Sequence, residues 1–254
     1  MTILVTGCAG FIGSNFVHAW LAGSDEQVVN LDKLTYAGNL ENLKSFDGDE
    51  RHVFVKGDIG DRALVSALLS EYKPRAVLNF AAESHVDRSI HGPGDFIETN
   101  VLGTFNLLES VRAYWQDLAA ADKVAFRFLH VSTDEVYGSL RPTDAPFAET
   151  NAYEPNSPYS ASKAAADLMV LAYFKTHKMN VGITRCSNNY GIRQFPEKVI
   201  PRFITNLLDG KKIPIYGEGL QVREWIHVDD HCRGIYLVLE KGQAGDVFNI
   251  GGEV

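Results

Sequence analysis

The chain has 254 residues, 45% of them hydrophobic and 22% charged, with a formal net charge of −8. That length can bury one sizeable core plus a small second lobe, and no apolar run reaches the roughly 18 residues of a transmembrane helix. An acidic balance without a Lys/Arg cluster argues against nucleic acid and anionic membranes as partners, and metal-type cysteine spacing is lacking.

The opening strand, 2-TILVTG, runs into 7-GCAGFIG-13, with a helix expected from about Ile12. No basic residue precedes this apolar run, so it does not read as a signal peptide. Strand 27-QVVNLD ends on Asp32. Strand 52-HVFVKGD precedes 61-DRALVSALLSEY, where Leu64, Val65, Leu68 and Leu69 share one helix face behind Asp61 as N-cap. Strand 76-AVLNFAA leads into 81-AAESHVDRS. The spacing then predicts a helix over 98–115, a strand over 126–132, a helix over 158–177 capped by Asn156 or Ser157, and a strand over 181–186. Alternating β and α segments with continuously apolar strands predict an α/β fold, a Rossmann-type doubly wound parallel sheet covered on both faces.

After residue 186 the rhythm changes, broken by Pro196, Pro201, Pro214, Gly217 and Gly219. A helix over 197–210, a short strand over 213–217, a helix over 229–242 capped by Asp229 or Asp230, and a strand from 246 are expected. Residues 1–185 therefore read as the dinucleotide-binding domain, with 226–245 packing back on it. Residues 186–225 and 246–254 read as a small, partial substrate-binding lobe.

Gly7, Gly10 and Gly13 are spaced three apart where a strand turns into a helix. Such glycines let a backbone approach a pyrophosphate held on free N–H groups of the helix, or they simply pack helix on strand. Asp32 ends the second strand, where a carboxylate accepts from a ribose diol and repels a 2′-phosphate, favouring NAD; Lys33 partly offsets that repulsion. Asp58 follows the third strand and either meets an adenine amino group or only shapes a turn. Ala81 and Ala82 are small enough for a cofactor to lie against the backbone. Tyr159 and Lys163 are four apart on one helix, so a nearby ammonium is expected to lower the phenol pKa and make it a base. Thr133, Asp134 and Glu135 end the fifth strand, where adjacent carboxyls are costly unless solvated or put to use.

Together, GxxGFIG, Asp32, Ala81-Ala82, a hydroxyl at the end of strand five and YxxxK resemble the extended short-chain dehydrogenase/reductase family. Within it, 133-TDEVYG-138, 81-AAESHVDRS-89, 185-RCSNNYG-191 and 223-REWIHVDD-230 are similar to the nucleotide-sugar 4,6-dehydratases. Epimerases of the family carry small or hydroxyl residues where this chain has Asp134-Glu135. The resemblance implies a hydro-lyase acting on a nucleoside-diphosphate hexose such as dTDP-glucose, with a UDP sugar or a 4-epimerase as alternatives and a non-catalytic dinucleotide-binding protein as a further one. Tyr159 would take the C4 hydroxyl proton as NAD takes the hydride, and Thr133 would bond the same oxygen. Glu135 would remove the C5 proton, Asp134 would protonate the leaving C6 hydroxyl, and the hydride would return to C6.

The resemblance also implies NAD contacts by Phe11, Ile12, Leu34 and Thr35, and by Ile59, Ser84, Thr99 and Asn189. Lys163 would bond the nicotinamide ribose. It implies substrate contacts by Ser84, Thr133, Asn188, Lys198 and Val199, then by Pro214, Ile215, Tyr216 and Arg223. A homodimer through the 98–116 and 158–177 helices, a cytoplasmic location and a place in deoxysugar (rhamnose) synthesis follow from it as well. Ile192 stands where the family usually has proline. The family continues well beyond a strand like the one at 246–250, so part of the substrate lobe is expected to be missing. His85 and Arg88 are expected near the pocket. His227 and His231 are four apart, but the first ends a strand-like run, so no metal is expected; Cys8 and Cys186 read as small core residues.

Overall fold

The computed structural model describes residues 1–215 and 218–252. Strands β1 (Thr2–Thr6), β2 (Gln27–Asp32), β3 (His52–Lys56), β4 (Ala76–Asn79), β5 (Arg127–Thr133), β6 (Val181–Cys186) and β9 (Val247–Ile250) form one parallel sheet in the order β3-β2-β1-β4-β5-β6-β9. Two short strands, β7 (Asn188–Tyr190) and β8 (Trp225–His227), pair in parallel beside it.

The strands are apolar on both sides because both faces are covered. Ile3 and Val5 point to the face packed by α1 (Phe11–Gly23) and α9 (Val228–Lys241), with Phe16, Trp20, Ile235 and Leu239 in that cluster. Leu4 points to the other face, covered by α2 (Arg62–Tyr72), α5 (Thr104–Asp117) and α7 (Pro158–His177), with Leu68, Leu107, Leu108 and Val170. Asp61 caps α2 as expected, accepting from Leu64 N at 3.0 Å. The short helices α3 (Val86–His91), α4 (Gly94–Phe96) and α6 (Ala120–Ala125), the exposed α8 (Val199–Leu208) and the π-helical stretch Ile97–Gly103 complete the described elements with two 3₁₀ turns, Leu40–Phe46 and Asp134–Tyr137.

Three expectations are corrected. Strand β9 is the seventh strand of the main sheet, paired from Ile183–Val247 to Cys186–Ile250, so 247–250 belongs to the dinucleotide fold and not to a separate lobe. Residues 213–215 form no strand, and Tyr216 and Gly217 of that expected strand lie outside the described residues, as do 253–254. The α9 cap is His227, whose ring nitrogen accepts from Asp229 N, because the helix starts one residue before the aspartates.

The chain winds one way from β1 to β3 and the other way from β4 onward. The C-terminal ends of β1 and β4 therefore flank the switch point, where open α/β sheets hold ligands.

Candidate active site

Gly7, directly after β1, has φ +70°, and a Cβ there would lie 2.6 Å from Ala81 N. A Cβ on Gly13 would lie 2.4 Å from the Gly7 carbonyl oxygen. These two glycines are required by the protein's own packing. Gly10 differs: a Cβ there would meet only the Gly7 oxygen, at 3.3 Å, and would otherwise project into open space. Helix α1 starts at this point with no side-chain cap and no acid in its first turn, so its leading N–H groups are left for a ligand.

Asp32 is nearly buried, and each of its oxygens accepts one backbone N–H at 2.8 Å, from Ala9 and from Leu34. Each oxygen keeps a lone-pair position for a ribose hydroxyl. Burial pushes its carboxyl pKa up, against those two bonds. Lys33 turns away to Asp58 at 2.7 Å, while the other Asp58 oxygen takes Gly60 N at 2.8 Å, so Asp58 also shapes its turn. An open Gly10, an uncapped helix start and a fixed acid suit the pyrophosphate and diol of NAD.

These groups line a cavity of about 350 Å³ that also takes in Phe11, Ile12, Thr35, Ile59, Ala81, Ala82, Ser84 and Thr99. Its inner end reaches Thr133, Glu135, Tyr159, Lys163, Asn188, Asn189, Lys198 and Val199. Most of the sequence-assigned groups from both halves thus meet in one space; Asp134, next to Thr133 and Glu135 in the chain, does not itself line it.

Strand β5 ends at Thr133 and the chain enters a 3₁₀ turn at once, with Glu135 N donating to Thr133 Oγ1 at 3.3 Å. The turn closes on Gly138 at φ +92°, where a Cβ would lie 2.4 Å from the Glu154 oxygen. Val136 and Tyr137 pack on Ala164, pinning the turn to α7. Ser157 caps α7 with Pro158 behind it and exchanges bonds with Ser160 in a capping box, which fixes Tyr159 and Lys163 in the first turns.

The two carboxyls are held differently. Asp134 is pushed up to about 6 by burial, then by Glu135 and Glu224, with the Thr133 hydroxyl opposing. Burial raises Glu135 too, but Lys198 and Arg223 pull it back down.

The expectation that Lys163 lowers the Tyr159 pKa is overturned for the protein alone. Burial drives the phenol well above its usual value, Glu135, Cys186 and Asp134 add to this, and the Thr133 hydroxyl opposes it. Lys163 Nζ instead donates to Val131 O at 2.9 Å and lies 3.4 Å from His130 Nε2.

Leu34 holds Asp32 through its N–H and does not line the cavity. Pro214 and Ile215 do not line it either, and Ile215 is 72% exposed; Tyr216 lies outside the described residues. Arg223 donates to Val222 O and acts on Glu135 through its charge. Ile192 is exposed, and its carbonyl accepts from Asn15 at 3.0 Å. His85 and Arg88 both lie 3.5 Å from Glu197. His231 is buried and bonds Asn189 Oδ1 at 2.8 Å. Sequence reasoning missed the cavity residues Tyr36, Glu83, Phe195, Glu197 and Trp225. Tyr36, Glu83 and Glu197 carried one signal, adjacency to the assigned Thr35, Ala82 and Lys198; Phe195 and Trp225 carried none.

A sequence model of the GDP-mannose 4,6 dehydratase family matches residues 4–254. The chain belongs to that family. Among family relatives, the dTDP-glucose 4,6-dehydratase of Xanthomonas campestris pv. campestris is 60% identical over 99% of this chain and 71% of its own length. The solved dTDP-glucose 4,6-dehydratase DesIV of Streptomyces venezuelae, with NAD and TYD bound, superposes with a TM-score of 0.92 at 52% identity, covering 100% of this chain and 76% of that one. The UDP-glucose 4-epimerase of Thermotoga maritima, solved with UDP-glucose, has a TM-score of 0.87 at 32% identity, covering 99% and 77%. The family fold is thus shared by dehydratases and epimerases, and the function must be argued from the residues.

Proposed function

We propose that this chain is an NAD-dependent hydro-lyase that converts dTDP-glucose into its 4-keto-6-deoxy product. The observation that carries the reading is the unequal pair on the turn after β5, with Asp134 pushed up to about 6 and Glu135 restrained by two cations. Elimination of water needs one carboxyl that holds a proton and one that accepts a proton, and such environments assign the roles.

When bound, NAD would supply a positively charged hydride acceptor at C4 and, once reduced, a hydride donor for C6. Thr133 and Tyr159 hold the C4 oxygen between two hydroxyls, and Tyr159 removes its proton. Burial alone opposes a phenolate, so the proton leaves readily only when positive charge is present beside the ring. Glu135 then takes the C5 proton, acidified by the C4 ketone, and gives a proton back to C5 as the hydride reaches C6. Asp134 gives its proton to the departing C6 hydroxyl. Lys198, whose Nζ donates to Ser84 O at 3.1 Å, and Arg223 supply positive charge for a diphosphate. Asn188 is fixed on the Glu224 carbonyl at 3.2 Å and faces the same space.

We assign residues 186–225 to the sugar-nucleotide lobe. We also infer a homodimer through the 98–116 and 158–177 helices, on which Leu102 and Leu168 are 52% and 53% exposed. A cytoplasmic role in deoxysugar synthesis, leading toward rhamnose, fits three free, buried cysteines and a described chain without a helix long and apolar enough to cross a membrane.

The test is incubation with dTDP-glucose and, separately, UDP-glucose, followed by mass spectrometry. Loss of one water from the thymidine nucleotide supports the reading. A change at C4 without loss of mass identifies an epimerase and overturns it.

A further inference from the structure

Behind the cavity lies a buried polar chain that the proposed chemistry does not use. His130 on β5 is 1% exposed. Its Nε2 lies 3.4 Å from Lys163 Nζ and 3.8 Å from Asp167 Oδ1. Its Nδ1 lies 3.1 Å from Asn79 Nδ2 on β4. The Asn79 Oδ1 accepts the Thr6 hydroxyl of β1 at 2.6 Å, and Thr6 Oγ1 accepts from Ala81 N at 3.3 Å. A row of polar groups crossing three core strands is costly unless every member is satisfied, and this row ends on Lys163.

The hydrogen directions follow from the donors. Thr6 gives its hydrogen to Asn79 Oδ1, so Asn79 presents its NH₂ group to His130. Nδ1 is then an acceptor, and a neutral ring carries its proton on Nε2, facing Lys163. That arrangement suits an uncharged Lys163 amine, which has a lone pair. An ammonium has only donors, so it requires the Nε2 lone pair and a proton on Nδ1. A half-turn of the Asn79 amide would receive that proton. The Thr6 hydroxyl, and that of Thr104, which lies 3.4 Å from Asn79 Nδ2, can each donate or accept and so follow the turn.

Building on the dehydratase reading of the site, we propose that His130 is a positioning residue. By exchanging tautomers with the Asn79 amide it keeps Lys163 hydrogen-bonded both as ammonium and as amine. It thereby sets the pH range over which Tyr159 can take the sugar proton. The other titratable and charged groups facing the pair are Asp167 on α7, shared with Arg185 of β6, and Cys186 of β6. Burial lowers Lys163 to about 8, while burial and the Lys163 charge hold His130 well below its usual value. The lysine is therefore the partner that changes charge, and the imidazole stays neutral.

The first test is ring ¹⁵N NMR of His130 in the NAD-bound protein. The expected result is a neutral ring whose tautomer exchanges as the pH passes about 8. A single tautomer across that range overturns the proposal. The second test is kinetic. In His130→Phe the alkaline limb of kcat moves down by about one pH unit, tenfold in rate on that limb, because the ammonium loses its acceptor. KM for dTDP-glucose stays constant, because the ring does not line the cavity, and His130→Gln, whose amide can turn either way, restores the limb. Thr6→Val, which leaves Asn79 Oδ1 and Ala81 N without their partner and so is read on protein shown to be folded by urea unfolding, moves the same limb by disordering the Asn79 choice. Parent-like pH profiles in both the Phe and Val variants overturn the proposal. A parent that shows the tautomer exchange yet leaves dTDP-glucose unchanged supports the exchange and overturns the dehydratase reading alone.

Discussion

Asp134→Asn should make the protein more stable and unable to finish its reaction. The Asp134 carboxyl rises from 3.8 to about 6, first through burial and then through Glu135 and Glu224. A raised carboxyl pKa means that the fold binds the proton more tightly than the unfolded chain does. The stability from this site is therefore complete below 3.8 and is lost as the pH climbs through about 6. At about 1.4 kcal/mol per pH unit, the ionised carboxylate costs the fold up to about 3 kcal/mol above neutrality. Asparagine keeps the shape and cannot ionise. Urea unfolding at about pH 8 should show a gain approaching that size, and at about pH 4 almost none. The same change removes the proton donor for the leaving hydroxyl, so product formation should fall ~10²–10⁴-fold. C4 oxidation is untouched, so NADH absorbance should build up in a single turnover. An equal stability change at both pH values would refute the burial argument. Dehydration at the parent rate would refute the acid role.

The partner carboxyl should separate from it in one respect. Glu135→Gln also traps the reaction after C4 oxidation, with product down ~10²–10⁴-fold, and quenched-flow exchange of the C5 proton with solvent should stop as well. The three glycines should divide by cause. Gly7→Ala and Gly13→Ala place a Cβ 2.6 Å and 2.4 Å from backbone and should cost at least about 2 kcal/mol in urea unfolding. Gly10→Ala should unfold close to the parent midpoint yet lose tenfold or more in NAD affinity by calorimetry; unchanged affinity would remove the phosphate from that face. Arg185→Met should cost about 3–5 kcal/mol, because it leaves Asp167 buried without its 2.9 Å partner, and adding Asp167→Asn should recover part of the loss.

What could be read in the sequence follows from how each feature is encoded. The five inner strands were legible because burial on both faces leaves continuous apolar runs, and the half-buried edge strands β3 and β9 because short apolar runs remain in them. The 186–225 stretch resisted because β7 and β8 are three residues each, with Asn188 and Asn189 in one of them, too short and polar for any periodicity. Strand β9 was seen but assigned to the wrong unit, since an edge position against β6 is a tertiary fact that Val247–Ile250 does not carry locally. Residues of the glycine turn were legible where a backbone constraint selects the residue type, as at Gly7 and Gly13. Wall residues such as Phe195 and Trp225 are chosen by shape alone, and shape requires coordinates.

The Tyr159 pKa shows the same limit in its sharpest form. A lysine four residues on along a helix predicts a lowered phenol, and the spacing is correct. The sign reverses because burial, with Glu135, Cys186 and Asp134 adding to it, outweighs what opposes it, while Lys163 spends its hydrogen bonds on Val131 O and His130. A phenol raised in this way resists acting as a base unless positive charge stands beside it. On the dehydratase reading, its activation would need positive charge beside the ring, from the Lys163 ammonium or from bound NAD, so that the proton leaves only where the hydride has somewhere to go.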